Sequence, residues 1–277
     1  MTQTGQTEQI DTEQTDKAGV AFWDKRWENQ PIPQPVNPHK RHLGNQVYRE
    51  FHRYFAQLFK KKETRGQKLL EIGCGRSRWL PYFALQFGFD VAGIDYSTVG
   101  CESAQAILEK AGVKGRIAQA NFFDPPEDML QTYDVVVSLG VVEHFTDTAD
   151  CLQNFSRFLK PGGLMITLIP NMAGWVGEIQ KRLDRAVYDV HVPLDDVDLA
   201  KAHEEAGLQV QRCDYLMAIN WAVMSFSTHP TGPIFIMRLA LIKAASMVFW
   251  FLERAGLRIK PNRKTSPYII CAARKKV

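Results

Sequence analysis

The densest chemistry in the chain lies in "KLLEIGCGRSRWL", Lys68 to Leu80. An apolar run meets Glu71, then Gly73 and Gly75 flank Cys74, and Arg76 and Arg78 follow. Glycines so placed let a backbone turn sharply and approach a ligand with no Cβ in the way. The dinucleotide pattern G-x-G-x-x-G would need a glycine where Arg78 stands, so that fingerprint is incomplete. A carboxylate two positions before the first glycine suits an ammonium or a sulfonium and would repel a pyrophosphate. Asp95 follows Gly75 by twenty residues, where it can accept hydrogen bonds from both hydroxyls of a ribose. Together these residues ask for a nucleoside bearing a positively charged amino-acid tail.

Two histidines offer proton chemistry. His144 stands in "VVEHF" directly after an apolar run, and His191 in "DRAVYDVHVPLDD", with Tyr188 placed to orient it. An imidazole titrates near neutrality and is the commonest general base. The alternatives are that His144 contacts a cofactor or caps a helix, and that His191 is a structural loop residue. Glu143, His144 and His191 lack clustered ligand spacing, so no metal is expected.

These residues need elements to position them. "QKLLEI", "DVAGID", "GRIAQAN", "YDVVVSLG", "LMITLIP", "LQVQRCDYL" and "SPYIICAARK" read as seven strands. Helical stretches over 78–87, 97–111, 145–160 and 195–206 separate them, with "KPGG" closing the third as a turn. Ser97 or Thr98 reads as a helix cap. Alternation at this spacing predicts an α/β fold: a doubly wound, seven-stranded, mostly parallel sheet. Ahead of it, 20–66 reads as an N-terminal arm. It holds "FWDKRW", four prolines from Pro31 to Pro38, and a helix whose apolar face carries Phe51, Phe55 and Phe59. Residues 1–19 are polar and read as a disordered tail, with neither the basic nor the apolar region of a secretory signal.

The sheet pattern leaves 217–265 unexplained. Within it the apolar run 234–252 is interrupted by Arg238 and Lys243, which argues against a simple membrane span. On a helical wheel Arg238, Lys243, Ser246, Glu253 and Arg254 gather on one side. The segment is expected either as a lid over an acceptor or, through 234–260, as a peripheral membrane contact. From residue 254 onward there are eight Lys/Arg and no acid, leaving 26 of the 34 Lys/Arg against all 30 Asp/Glu. A solvated basic tail and a surface for anionic lipid or nucleic acid are both open. The five scattered cysteines form no disulfide framework and fit a reducing cytoplasm.

Over roughly residues 67–216 the chain resembles the class I SAM-dependent methyltransferases. "LLEIGCGRS" is similar to their glycine motif and "VAGIDYS" to their ribose-binding motif; "YDVVVSLGVVEHF" and "LKPGGLMITLIPN" are similar to their fourth- and fifth-strand motifs. The resemblance implies S-adenosyl-L-methionine as cofactor. Glu71, Gly73, Cys74, Gly75 and Arg78 would hold its methionine part, and Asp95, Tyr96 and Ser97 its ribose and adenine. Asn121, Phe122 and Phe123 would lie at the adenine edge, with Asn121 where many members carry aspartate, and Leu139 and Gly140 at the sulfonium. Trp23 and Trp27 would either fold over the cofactor or anchor the arm. The implied activity is methyl transfer to an oxygen of a small acceptor, hydrophobic or glycan- or lipid-linked, with N-methylation and a non-catalytic SAM-binding partner as alternatives. Nucleic acid is not expected as acceptor, because "SLGVVEH" replaces the Asn/Asp-Pro-Pro-aromatic motif of amino-methylating DNA enzymes. The sequence leaves the oligomeric state open.

Overall fold

The computed structural model describes residues 16–60, 62–226, 232–257 and 259–277. Up to residue 15 the tail expected over 1–19 lies outside the described residues. Asp16, within that range, already pairs with Phe145, and the Lys17 N–H donates to the His144 carbonyl at 2.9 Å.

The strands are β1 (Lys68–Ile72), β2 (Asp90–Asp95), β3 (Gly115–Gln119), β4 (Tyr133–Leu139), β5 (Leu159–Pro170), β6 (Leu208–Leu216) and β7 (Tyr268–Lys275). They form one sheet in the order β3-β2-β1-β4-β5-β7-β6, parallel except for β7, which runs antiparallel to both neighbours. The helices are α1 (Gly19–Trp27), α2 (Gln46–Phe59), α3 (Leu80–Phe87), α4 (Thr98–Lys110), α5 (Thr148–Ser156), α6 (Trp175–Leu183), α7 (Arg185–Asp189), α8 (Asp196–Glu205) and α9 (Pro233–Arg254).

Successive strand residues face opposite sides of the sheet, and both sides are covered. Leu70, Ile72, Ile94 and Val136 pack with Leu152 and Phe155 of α5 and Leu199 of α8. Their neighbours Leu69, Val91, Val135 and Val137 pack on the other side with Phe55, Phe83 and Leu108. The near-continuous apolar runs of β1 and β4 are what such two-sided burial demands. Strand order reverses between β1 and β4, so the crevice beyond their carboxyl ends is where a ligand belongs in an open α/β sheet. Both strands end in glycines with positive φ, Gly73 at +72° and Gly140 at +82°.

Two expectations change at this level. "KPGG" is not a turn after a helix running to 160: α5 stops at Ser156, and β5 runs through the segment with a register shift opposite Tyr133 and Val135. Ser246 does not join the charged side of the insertion helix. It is buried, its hydroxyl accepts from the Trp221 N–H at 3.0 Å, and it shares the packed side of α9 with Trp250.

Candidate active site

The glycine turn after β1 is held from below and from above. Glu71 is 3% exposed, and its carboxylate accepts from the Ser77 hydroxyl at 2.5 Å, tying the strand to the far side of the turn. Burial pushes that carboxyl up to about 8, opposed by the bond from Ser77. Above the turn lies Trp27 of α1. A Cβ at Gly75 or at Gly100 would collide with its indole, and one at Gly73 would collide with Val141. The glycines at 75 and 100 are therefore what lets the arm seat a large aromatic ring on the turn.

Asp95 closes β2 with both oxygens engaged. The Gly75 N–H donates to Oδ2 at 2.7 Å and the Ser97 N–H to Oδ1 at 2.8 Å. Burial raises its carboxyl to about 6 against these bonds. Beside it the Tyr96 hydroxyl donates to Asp16 at 3.0 Å. Trp23 packs against Trp27 at a tilt of 30° with ring centroids 5.3 Å apart, and meets the His144 ring edge-on at the same distance.

The result is a cleft of about 210 Å³. Of the residues read from the sequence, Trp23, Trp27, Gly73, Gly75, Asp95, Tyr96, Leu139, Gly140 and His144 line it. Seven others assigned to the cofactor do not. Glu71 braces the turn. Cys74 is fully buried beneath it, its sulfur against the position a Cβ on Gly93 would take. The Arg78 guanidinium turns to the arm, donating to the Gln34 carbonyl at 2.6 Å and the Tyr48 hydroxyl at 2.5 Å. Ser97 caps α4 by accepting from the Gly100 N–H at 2.8 Å, and its hydroxyl donates to Asp24 of α1. Asn121 accepts from the Phe123 N–H at 3.0 Å in a local turn. Phe122 is buried in the core, with Phe123 against it and against Phe145. Phe145 lines the cleft in place of that pair, and Asp16 was not legible as a site residue at all.

A second cavity, of about 500 Å³, adjoins the first and shares Trp23, Leu139, Gly140 and His144 with it. Its walls bring together distant segments: Tyr48 and Phe51 of α2, Met172 and Val176 after β5, Trp250 of α9, and Tyr268 of β7. Most of this lining is apolar. Glu143, His144 and His191 form a polar cluster in the cavity wall. The two imidazole rings are 4.6 Å apart between centroids. His144 Nδ1 bonds the Val190 carbonyl at 2.7 Å and His191 Nδ1 the Val187 carbonyl at 2.6 Å. A carbonyl can only accept, so Nδ1 carries the proton on each ring and Nε2 keeps the lone pair. Both rings are lowered to about 4, chiefly by burial and at His191 also by His144; burial raises Glu143 to about 8. The Tyr188 contact to His191 is through the backbone, the His191 N–H donating to the Tyr188 carbonyl at 3.0 Å, and not through the phenol. The phenol ring lies under the Lys181 ammonium, 5.4 Å from the ring centre, and the Val187 carbonyl holds the imidazole instead.

The residues of the smaller cleft fit a sulfonium nucleoside: a glycine turn whose Gly73 and Gly75 line it, a carboxylate at the end of β2, and two indoles. That cofactor supplies an electrophilic methyl group when bound, and Asp95, Tyr96, Trp23 and Trp27 are the residues that would hold it.

Comparison with known proteins agrees with this geometry. The model of a methyltransferase domain family matches residues 40–212, more than half of the chain. A ubiquinone biosynthesis O-methyltransferase of Pseudomonas savastanoi pv. phaseolicola is 31% identical over 154 residues, covering 53% of this chain and 66% of that protein. One from Rhodopseudomonas palustris is 28% identical over 158 residues, 56% and 59% of the two chains. The matched region thus spans under two thirds of the length of these relatives. Among solved structures, the geranyl diphosphate C-methyltransferase of Streptomyces coelicolor A3(2) has a TM-score of 0.56 at 15% identity, covering 93% of this chain and 99% of that one. The [4+2]-cyclase SpnF has a TM-score of 0.61 at 15% identity, covering 95% and 97%. Likeness at that identity shows the fold alone, and a cyclase sharing it makes the point that chemistry must be argued from the site. With the domain match and the cleft at the β1/β4 switch point in agreement, this chain belongs to the class I SAM-dependent methyltransferase family.

Proposed function

We propose that the chain methylates an oxygen of a largely apolar acceptor taken from a membrane surface. One observation carries this reading: the cofactor cleft opens, across Trp23, Leu139, Gly140 and His144, into a larger apolar chamber with a polar cluster in its wall. The acceptor's apolar body would fill the chamber between Phe51, Val176 and Trp250. Its hydroxyl would meet Glu143, His144 and His191 at the polar wall of the chamber. Much of the enzyme's contribution to a methyl displacement is alignment and exclusion of water. Trp23, shared by both cavities, is placed for both tasks. The relatives named for ubiquinone biosynthesis favour a phenolic acceptor of the quinone type.

Membrane contact rests on α9. One side packs on the domain through Ile242, Ser246, Phe249 and Trp250, the last donating from its indole nitrogen to the Ile219 carbonyl at 2.9 Å. The other side exposes Met237, Leu241, Val248 and Phe251, each more than half accessible. The helix is long and apolar enough to cross a membrane, but its packed side argues for lying in the plane of one. Exposed Arg238 and Lys243 flank the apolar face on opposite borders, where cations reach anionic headgroups.

The test is S-adenosylhomocysteine release from a panel of alkylated phenols and catechols, saccharides and amines, each with and without anionic vesicles. Turnover of the phenols, enhanced by vesicles, supports the reading. Turnover confined to amines or saccharides would sink it.

A further inference from the structure

We infer that Glu143, His144 and His191 form a binding site for one divalent transition-metal ion, which holds the oxygen of the acceptor. The inference rests on the proposed function for the acceptor, but the ion site stands on geometry alone. One ligand atom from each of the three residues lies within 4.8 Å of the others, close enough to surround a single ion. The residues come from two segments: Glu143 and His144 follow β4, and His191 follows α7. The Val192 N–H donates to the Glu143 carbonyl at 2.6 Å and clamps the segments together.

Two further observations point to a ligand. Glu143 Oε2 is buried and has no hydrogen-bond partner among the described residues, although Glu143 is 1% exposed. A buried carboxyl oxygen left without a partner is costly, and a cation that takes the place of the carboxyl proton would satisfy it. Both imidazoles also donate Nδ1–H to backbone carbonyls. This is the outer-shell arrangement that fixes the tautomer of a metal-ligating histidine and leaves Nε2 to bind. Lys17, the nearby cation, has its ammonium bonded to the His191 carbonyl oxygen at 3.0 Å.

Two imidazoles and one carboxylate select borderline ions of the manganese-to-zinc series over magnesium or calcium, which prefer all-oxygen shells. Three protein ligands leave coordination positions open, and these residues line the acceptor chamber. With such an ion held by the two Nε2 atoms and the Glu143 carboxylate, an acceptor hydroxyl would ionise more readily and give its proton to water; its oxygen would then bond to the methyl carbon as the bond from that carbon to the cofactor's sulfur breaks, the electron pair staying on sulfur.

The experiment uses untagged full-length protein, stripped with chelator and titrated with Co²⁺ while visible d–d absorption is recorded. Wild type should bind one equivalent. His191→Ala and the near-isosteric Glu143→Gln should each bind at least about tenfold more weakly. Calorimetric binding of S-adenosylhomocysteine by the same variants shows that they are folded. Absence of Co²⁺ absorption in wild type, or equal Co²⁺ affinity in wild type and both folded variants, overturns the ion site. Loss of S-adenosylhomocysteine binding by wild type would instead count against the cofactor reading, so the two failures are distinct.

Discussion

The arm from Asp16 to Trp27 and the insertion helix α9 each place a tryptophan in the joined cavities, yet different forces hold them. The arm is fastened by polar contacts at defined points: Tyr96 to Asp16, Ser97 to Asp24, Lys17 to the carbonyls of His144 and His191. Trp27 then drops onto glycines that have no side chain to oppose it. Helix α9 is held mainly by one apolar stripe, with the bonds of Ser246 and Trp250 and one from Arg254 to the Arg41 carbonyl, and its opposite side is apolar and bare. An edge built from point contacts suits a ligand of fixed shape. One built from an apolar helix suits acceptors whose common property is greasiness. The comparison teaches that cofactor and acceptor ends should fail independently.

The largest expected effect tests that independence at the junction. His191 touches the acceptor chamber but not the cofactor cleft. His191→Ala should lower turnover by about 10²- to 10⁴-fold, the range for losing a group that promotes ionisation of the acceptor hydroxyl. S-adenosylhomocysteine affinity should stay at the wild-type value. A parallel loss of both in steady-state and calorimetric measurements would mean that the two ends are one unit.

Next in size is the bare side of α9. Leu241→Glu combined with Phe251→Glu replaces two apolar side chains, each worth about 1.5–3 kcal/mol when fully buried. Co-sedimentation with anionic vesicles should fall by about two orders of magnitude, since each 1.4 kcal/mol is tenfold. Cofactor affinity should not move. If wild type ignores vesicles and sediments as a dimer that the double variant dissolves, α9 is a protein interface.

On the cofactor side, Asp95→Asn keeps the shape but removes the charge and one acceptor. Bonds to a charged group contribute about 1.5–3 kcal/mol, so affinity for S-adenosylhomocysteine should fall about 10- to 100-fold. The double variant on α9 should behave as wild type in this titration, and Asp95→Asn as wild type on vesicles. Failure of either half blurs the boundary between the ends.

How legible these ends were in the sequence also differs. The sheet was readable because strands buried on both faces must be apolar nearly throughout, as in "YDVVVSL". The turn residues Gly73 and Gly75 and the carboxylate Asp95 were readable because their chemistry is local. Cys74, Ser97 and Arg78 sit in the same motifs, yet their side chains face the core, a helix cap and the arm. Sequence adjacency does not say which way a side chain points. The acceptor chamber was hardly legible, since Tyr48, Met172, Trp250 and Tyr268 meet there only after folding. Of its polar cluster, His144 and His191 were each readable as candidate bases but not as neighbours; they meet because α7 ends where the Val192 N–H reaches Glu143. Ser246 misled because hydroxyl polarity suggests a water-facing side, whereas here the buried hydroxyl accepts from the Trp221 backbone N–H.

The smallest expected effect is a pH profile on the cofactor side. Asp95 has its carboxyl raised by burial to about 6 in the free protein, so it is ionised above that value and protonated below it. Hydrogen bonds from ribose hydroxyls need the carboxylate. Affinity should therefore be flat above about pH 6 and weaken on acidification, approaching tenfold per unit once the group is mostly protonated. Asp95→Asn cannot ionise and should show no such fall over the same window. Calorimetric titrations of S-adenosylhomocysteine at a series of pH values separate the two. A wild-type affinity that holds constant from about pH 7 down to pH 5 would show that the ionised Asp95 is not what grips the cofactor. The polar fastening of the arm, rather than the carboxylate at the end of β2, would then be what sets cofactor affinity.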